Sequence, residues 1–159
     1  MGVLDKSQNY KVLLKKSSEN REIAGIAKDK EYFNVSISRF YYSMFQEITY
    51  FILVHEPEFL KKYIAAENKK KENDVEKRQN DSHKETGAKF MELVRAKTSI
   101  KLTPNERYQL AQFTKLRTVR NQADYQTIYY EKENFYSEFY EHYNKFNLVM
   151  KKLLNGYTS

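Results

Sequence analysis

The stretch Asn34–Val54, NVSISRFYYSMFQEITYFILV, is long and rich in apolar residues, and it decides the fold. Its apolar side chains recur at steps of three and four residues, at Ile37, Phe40, Tyr41, Met44, Phe45, Ile48, Phe51 and Ile52. This spacing predicts one long helix with a wide buried face. The opposite side of the same helix carries a more polar set: Arg39, Ser43, Gln46, Glu47 and Tyr50. A helix this apolar must be covered by others, so we expect it to be the central helix of a bundle.

Composition indicates one soluble, intracellular domain. A chain of 159 residues can form a substantial core without cross-links. It contains no cysteine, which excludes disulfides and thiolate metal sites and suits a reducing compartment. The longest apolar run, Phe51–Val54, is far too short to span a bilayer, and no signal segment opens the chain. We therefore expect a cytoplasmic protein with no membrane contact, and its net charge of +7 favours a polyanionic partner.

The N-terminal half predicts two antiparallel helices. The first begins at a cap, Asp5 or Ser7, and ends near Lys28. A short turn over residues 28–31 then makes it a neighbour of the central helix. The central helix ends before Pro57, because proline disfavours helical geometry in the residue that precedes it.

The C-terminal half predicts two more long helices. Residues 103–106, TPNE, combine a threonine cap, a proline at the first helical position and a glutamate at the third, which is a capping box. It opens a helix over about 104–124. The last helix covers about 132–154, with Gly156 as its expected stop. The fold class is therefore all-α, a four- to five-helix up-and-down bundle that forms a single domain over residues 1–159.

One internal segment departs from this pattern. Residues 61–85, KKYIAAENKKKENDVEKRQNDSHKE, have few apolar side chains and mixed charge. Such a segment buries little surface, so we predict a mobile charged excursion there. Order is expected to return in a short third helix that begins at Thr86.

Arg120 stands where a bundle helix would place an apolar side chain. Its face also carries Phe113, Leu116 and Ala123. A guanidinium keeps its charge, and burying it unpaired is very costly, so it must meet a carboxylate or line a wet groove. Asp124, four residues on, is a structural partner within reach, while segment 95–120 is strongly basic. Both an internal Arg120–Asp124 ion pair and a basic groove remain open at this point.

Three motifs together resemble the HEPN-domain proteins of prokaryotes. They are SISRFYYSMF at 36–45, DSHKETGAKF at 81–90 and LRTVRNQADY at 116–125. In order and spacing they are similar to a small stand-alone group with Ser-Arg-x-Tyr-Tyr-x-Met-Phe and Arg-x-x-Arg-x-x-Ala-Asp-Tyr. The resemblance covers about residues 10–154. It implies a four- to five-helix bundle, usually dimeric, that acts as a metal-independent ribonuclease or as a toxin-like partner of a minimal nucleotidyltransferase.

The resemblance also implies site residues. In active members an arginine, a polar residue after it and a histidine four to six residues on form the site; the arginine binds phosphate and the histidine transfers protons. Here Arg120 and Asn121 match the start, and Tyr125, Gln126 or Thr127 occupies the position of the histidine; the implied catalytic residues are Arg120, Asn121 and Tyr125. Arg39 and Arg117 are expected to bind nucleic-acid phosphates beside Arg120. Because tyrosine titrates at roughly pH 10, it is a poor base, and the resemblance implies phosphate binding more directly than cleavage.

The three histidines supply no better site. Arg78 and His83 satisfy an Arg-x4-His spacing, but a charged excursion cannot hold two groups in catalytic register. His55 and His142 lie elsewhere without metal-ligand spacing, so neither a metal nor a cofactor is expected.

Two functions stay open on the sequence. The first is a HEPN-like protein of toxin–antitoxin or defence type that binds or cleaves RNA, or binds a nucleotide, through a basic groove, as a homodimer. The second is a non-catalytic helical module that binds a nucleotide or partners a minimal nucleotidyltransferase.

Overall fold

The computed structural model describes residues 6–59, 75–96 and 100–158, and all regular structure in these ranges is helical. The first helices are α1 (Lys6–Asp29), α2 (Phe33–His55), α3 (Val75–Ala96), α4 (Pro104–Ala111) and α5 (Phe113–Tyr125). The chain ends with α6 (Lys132–Asn134), a π-helical segment (Phe135–Tyr140) and α7 (Glu141–Thr158). The all-α class predicted from the sequence is confirmed. None of the helices in these ranges is long and apolar enough to cross a membrane.

Helix α2 is central, as predicted, and it is buried on nearly all sides. Its apolar face packs in one core with α3, α5, the π-helical segment and α7. The side expected to be polar is also covered, because α1 packs along it. Ser17 of α1 donates to the Glu47 carboxylate at 2.9 Å and lies 2.8 Å from the Ser43 hydroxyl, and Arg21 pairs with the same carboxylate. Hydrogen bonds between the helices thus allow polar residues to face inward.

Helix α3 begins at Val75, well before the expected start at Thr86. The prediction that the third helix begins at Thr86 was therefore wrong. Residues 60–74 lie outside the described part of the chain, as does Asp5. The helix is held by His83, which is 3% exposed and stacks on Phe45 with ring centroids 3.9 Å apart. His83 thus occupies a buried position in the first half of α3, where the sequence suggested no apolar side chain to fill it.

The capping box at the start of α4 is confirmed. The Glu106 backbone N–H donates to Thr103 Oγ1 at 3.1 Å, and the Thr103 backbone N–H donates to Glu106 Oε1 at 2.9 Å. The single helix predicted over 104–124 is instead two helices, α4 and α5, which meet at Gln112. The Gln112 backbone N–H donates to the Gln109 carbonyl at 3.2 Å, a tightened turn that ends α4.

Two glycines allow close packing between segments. Gly156 was expected to stop the last helix, but α7 continues through it to Thr158, so that prediction was wrong. A Cβ at Gly156 would collide with the side chain of Ile100, and one at Gly87 would lie 2.6 Å from the Phe113 ring. The absence of a side chain at Gly156 therefore serves a close approach and not a helix end.

Asn34, in the first turn of α2, fixes the segment that leaves α5. Its Nδ2 donates to the carbonyls of Ala123 at 3.1 Å and Ile128 at 2.8 Å. Its Oδ1 accepts from the Tyr130 backbone N–H at 2.8 Å. One side chain thereby satisfies a carbonyl in the last turn of α5 and two backbone groups between α5 and α6.

We expect Asn34→Ala to lower the free energy of unfolding by about 2–3 kcal/mol, since each of three hydrogen bonds contributes about 1 kcal/mol. Urea denaturation measures this change. Val35→Ala, at a half-exposed neighbour, is the control and should change stability by less than about 0.5 kcal/mol. A similar loss in both variants would contradict the anchoring role.

Candidate functional site

Arg120 lies on the inner face of α5, and its side chain has no exposed surface. Its predicted inward phase is confirmed, and it does not line an open groove, which was one of the two alternatives. Its Cζ lies 4.6 Å from the centre of the Tyr41 ring, 5.6 Å from that of Tyr42 and 5.7 Å from that of Tyr125. Aromatic rings attract a cation held close to their faces, so three tyrosines cover the guanidinium where water was expected.

His83 of α3 pairs with Arg120, although the sequence analysis placed it outside the site. Arg120 Nη2 lies 3.1 Å from His83 Nδ1, and the Tyr41 hydroxyl lies 2.7 Å from the same nitrogen. An arginine only donates hydrogen bonds, so Nδ1 must accept and the ring proton must sit on Nε2. The side chain of Arg78, the other member of the Arg-x4-His spacing, lies outside the described residues.

Asp124 approaches Arg120 from the outer side, as its spacing predicted. Arg120 Nη1 and Asp124 Oδ2 are 3.9 Å apart, which is an ion pair too long to be a hydrogen bond. Asp124 also accepts a hydrogen bond from the Ser38 hydroxyl at 3.3 Å. Burial raises the pKa of Asp124, and the charge of Arg120 is the largest effect that opposes this rise. The carboxylate therefore compensates the guanidinium only in part.

Three arginine nitrogens in this cluster are buried without a hydrogen-bond acceptor in the described part of the chain. They are Nε and Nη1 of Arg120 and Nε of Arg117. Arg117 belongs to the same cluster: burial raises the pKa of Tyr41, and Arg120 and Arg117 both oppose that rise. A buried donor without an acceptor costs about 1–3 kcal/mol, and more when it is charged. The arrangement is suited to an anion whose oxygens accept from these nitrogens.

The other residues that were predicted from the sequence to form the site lie around the cluster. Asn121 is half-buried on α5, and the Tyr125 side chain, 38% exposed, covers Arg120 at the end of that helix. Arg39 is exposed on α2 and donates from Nη1 to Asn20 Oδ1 at 3.3 Å. The positive charge of Arg39 also opposes the rise in the pKa of Asp124 that burial causes. The structure thus groups Arg117 and Tyr125 with Arg120 and leaves Arg39 at the edge.

Three residues that contact Arg120 were not predicted from the sequence to be part of the site: His83, Tyr41 and Tyr42. A usable signal existed for His83, since it precedes Phe90 by two helical turns and so shares its inner face. The two tyrosines lie within the first quoted motif, where their spacing indicated core packing alone. Burial raises the pKa of Tyr42, consistent with a ring enclosed between helices.

Within the described ranges, no three His, Asp or Glu side chains are grouped so that they could hold a metal ion. Comparison with known proteins finds that no protein-family model, no curated protein and no solved structure matches the chain. The likeness to HEPN proteins therefore rests on the three short motifs.

Proposed function

We propose that this protein binds the phosphate groups of RNA or of a nucleotide through Arg120 and Arg117. The observation that carries the proposal is the fully buried guanidinium of Arg120, whose Nε and Nη1 find no hydrogen-bond acceptor among the residues that the structure describes. Phosphate oxygens are strong acceptors that match the planar fork of an arginine. The motifs that resemble HEPN proteins support a role of toxin–antitoxin or defence type in the cytoplasm.

A ligand would reach the cluster from its outer side. That side consists of Tyr42, Asp124 and Tyr125, of which Tyr42 is half-buried and the Tyr125 ring is the most exposed. Arg39 lies near this edge and can attract a polyanion before it meets the buried nitrogens. Displacement of the Tyr125 ring would open a path to Arg120.

The observed contacts support binding better than cleavage. In metal-independent cleavage a base takes the proton of the ribose 2′-hydroxyl as its oxygen attacks phosphorus, the bond from phosphorus to O5′ breaks, and an acid protonates O5′. His83 Nδ1 already accepts from Arg120 and Tyr41, so its lone pair is engaged. Ribonuclease activity would require His83 to leave this arrangement, or Tyr125 to act as the base, although a tyrosine hydroxyl is a poor base at neutral pH.

We expect Arg120→Ala to weaken binding of a single-stranded RNA by about ten- to hundredfold, because hydrogen bonds to charged groups contribute about 1.5–3 kcal/mol. Fluorescence anisotropy measures the affinity, which should also fall steeply between about 50 and 200 mM salt as counterions are released. Arg107→Ala is the matched control, because Arg107 is an exposed arginine and its loss changes the net charge equally. Equal weakening in both variants would mean that overall charge, and not this site, binds RNA.

The second candidate function, a non-catalytic module that partners a minimal nucleotidyltransferase, is favoured by one observation. Arg120 and His83 are buried from solvent, as expected of a pair that holds helices together and does not meet a ligand. Co-purification with such a partner, together with no RNA affinity, would support it.

We also propose a homodimer, since aromatic side chains are exposed at Tyr32 and Tyr129, and sedimentation at micromolar concentration tests that assembly.

A further inference from the structure

The charges around Arg120 leave an excess of positive charge in the protein interior. Arg120 and Arg117 each contribute one positive charge. Among the described residues, the carboxylate paired with Arg120 is that of Asp124, at 3.9 Å. His83 accepts at Nδ1, and burial raises the pKa of Tyr41, so neither supplies a negative charge. Two arginines against one carboxylate leave a net charge of +1, so the cluster attracts an anion.

The depth of the cluster also limits what can enter it. The Arg120 side chain has no exposed surface and His83 is 3% exposed, so a ligand must insert its charged group past Tyr42 and Tyr125. An internal phosphodiester has chain on both sides and cannot project far from it. A terminal phosphate projects freely, and as a monoester it carries a charge of about −1.5 to −2 near pH 7 with three strong acceptor oxygens.

The donors match such a group in number. Three buried nitrogens, Nε and Nη1 of Arg120 and Nε of Arg117, have hydrogens to donate and no acceptor in the described residues. A monoester presents three unsubstituted oxygens, whereas a diester presents two. Each charge-assisted hydrogen bond adds both affinity and geometric selectivity.

We infer that this site takes a terminal phosphate monoester, the phosphorylated end of an RNA or a free mononucleotide, in preference to an internal phosphodiester. The inference rests on the proposed function, since it assumes that Arg120 binds phosphate, and it adds the class of phosphate that is bound. The exposed ring of Tyr125 at the entrance provides a surface on which the adjoining base can stack.

The test compares one short single-stranded RNA in three forms: with a 5′-phosphate, with a 3′-phosphate, and with hydroxyls at both ends. By fluorescence anisotropy at near-neutral pH and physiological salt, one phosphorylated form should bind at least about tenfold more tightly than the hydroxyl form, equivalent to one or more charge-assisted hydrogen bonds. Adenosine monophosphate should compete, and adenosine should not. The preference should vanish in Arg120→Met, shrink in Arg117→Met and persist in Arg107→Ala.

The outcomes separate the inference from the proposed function. If all three RNAs bind wild-type protein equally, adenosine monophosphate does not compete and binding still depends on Arg120, the inference is overturned and phosphate binding stands. If binding is independent of Arg120, both are overturned. Competition by the mononucleotide without any preference among the RNAs supports the inference and identifies a free nucleotide as the ligand. Because the comparison of RNAs uses the wild-type protein, it remains decisive even if a variant fails to fold.

Discussion

Replacing Glu47 with alanine is expected to lower the free energy of unfolding by about 3 kcal/mol, the lower end of the range for breaking a buried ion pair. Glu47 is 4% exposed, and its carboxylate accepts from Arg21 and from the Ser17 hydroxyl. Truncation would leave both donors without this acceptor at the contact between α1 and α2. The lower end applies because the Arg21 side chain is 32% exposed and keeps some contact with water. Urea denaturation at near-neutral pH measures the change.

Glu22→Ala provides the control for that experiment. Glu22 is an exposed glutamate on α1, so its loss changes net charge in the same way without opening the interior. Its effect should stay within about 0.5 kcal/mol. Arg21 also donates to the Tyr143 hydroxyl at 3.2 Å, which joins α7 to the network. A loss below about 1 kcal/mol in Glu47→Ala would mean that the pair behaves like a surface ion pair and does not hold α1 in place.

Replacing Arg120 with methionine is expected to raise the free energy of unfolding by about 1–4 kcal/mol while RNA affinity falls. The guanidinium is fully buried, two of its nitrogens lack acceptors within the described ranges, and Asp124 lies 3.9 Å away. An unbranched apolar side chain fills similar space and removes the cost of burying a charge that is only partly compensated. His83 keeps its contact with the Tyr41 hydroxyl. Functional sites commonly retain residues that cost stability, and this result would place Arg120 among them.

Leu116→Ala, one turn earlier on the same buried face, is the comparison for Arg120→Met. Loss of a buried leucine side chain should lower the free energy of unfolding by about 2–5 kcal/mol. Thermal melts and urea titrations measure the stability of both variants. They show whether the buried face of α5 tolerates replacement of a charged side chain by an apolar one but not the loss of side-chain volume. If Arg120→Met is instead destabilised by several kcal/mol with unchanged RNA affinity, Arg120 is a structural residue and the proposed site is wrong.

The sequence by itself determined the features that depend on residues within a few positions of one another. The periodicity of Asn34–Val54 predicted the central helix, and the residues 103–106 predicted a capping box. The inward phase of Arg120 and the reach of Asp124 follow from the same helical geometry. Each of these is a local consequence of 3.6 residues per turn or of the backbone groups left unpaired at a helix end.

Only the tertiary structure decided which helices face one another, and that choice made the site. His83 meets Arg120 across 37 residues of sequence, and Ser17 meets Glu47 across 30. The polar spacing on each helix is compatible with exposure to solvent, so the sequence analysis left His83 outside the site and Glu47 on an open face. Burial of these side chains depends on the register in which α1, α2, α3 and α5 pack. That register is set by the summed fit of many side chains and not by any short pattern.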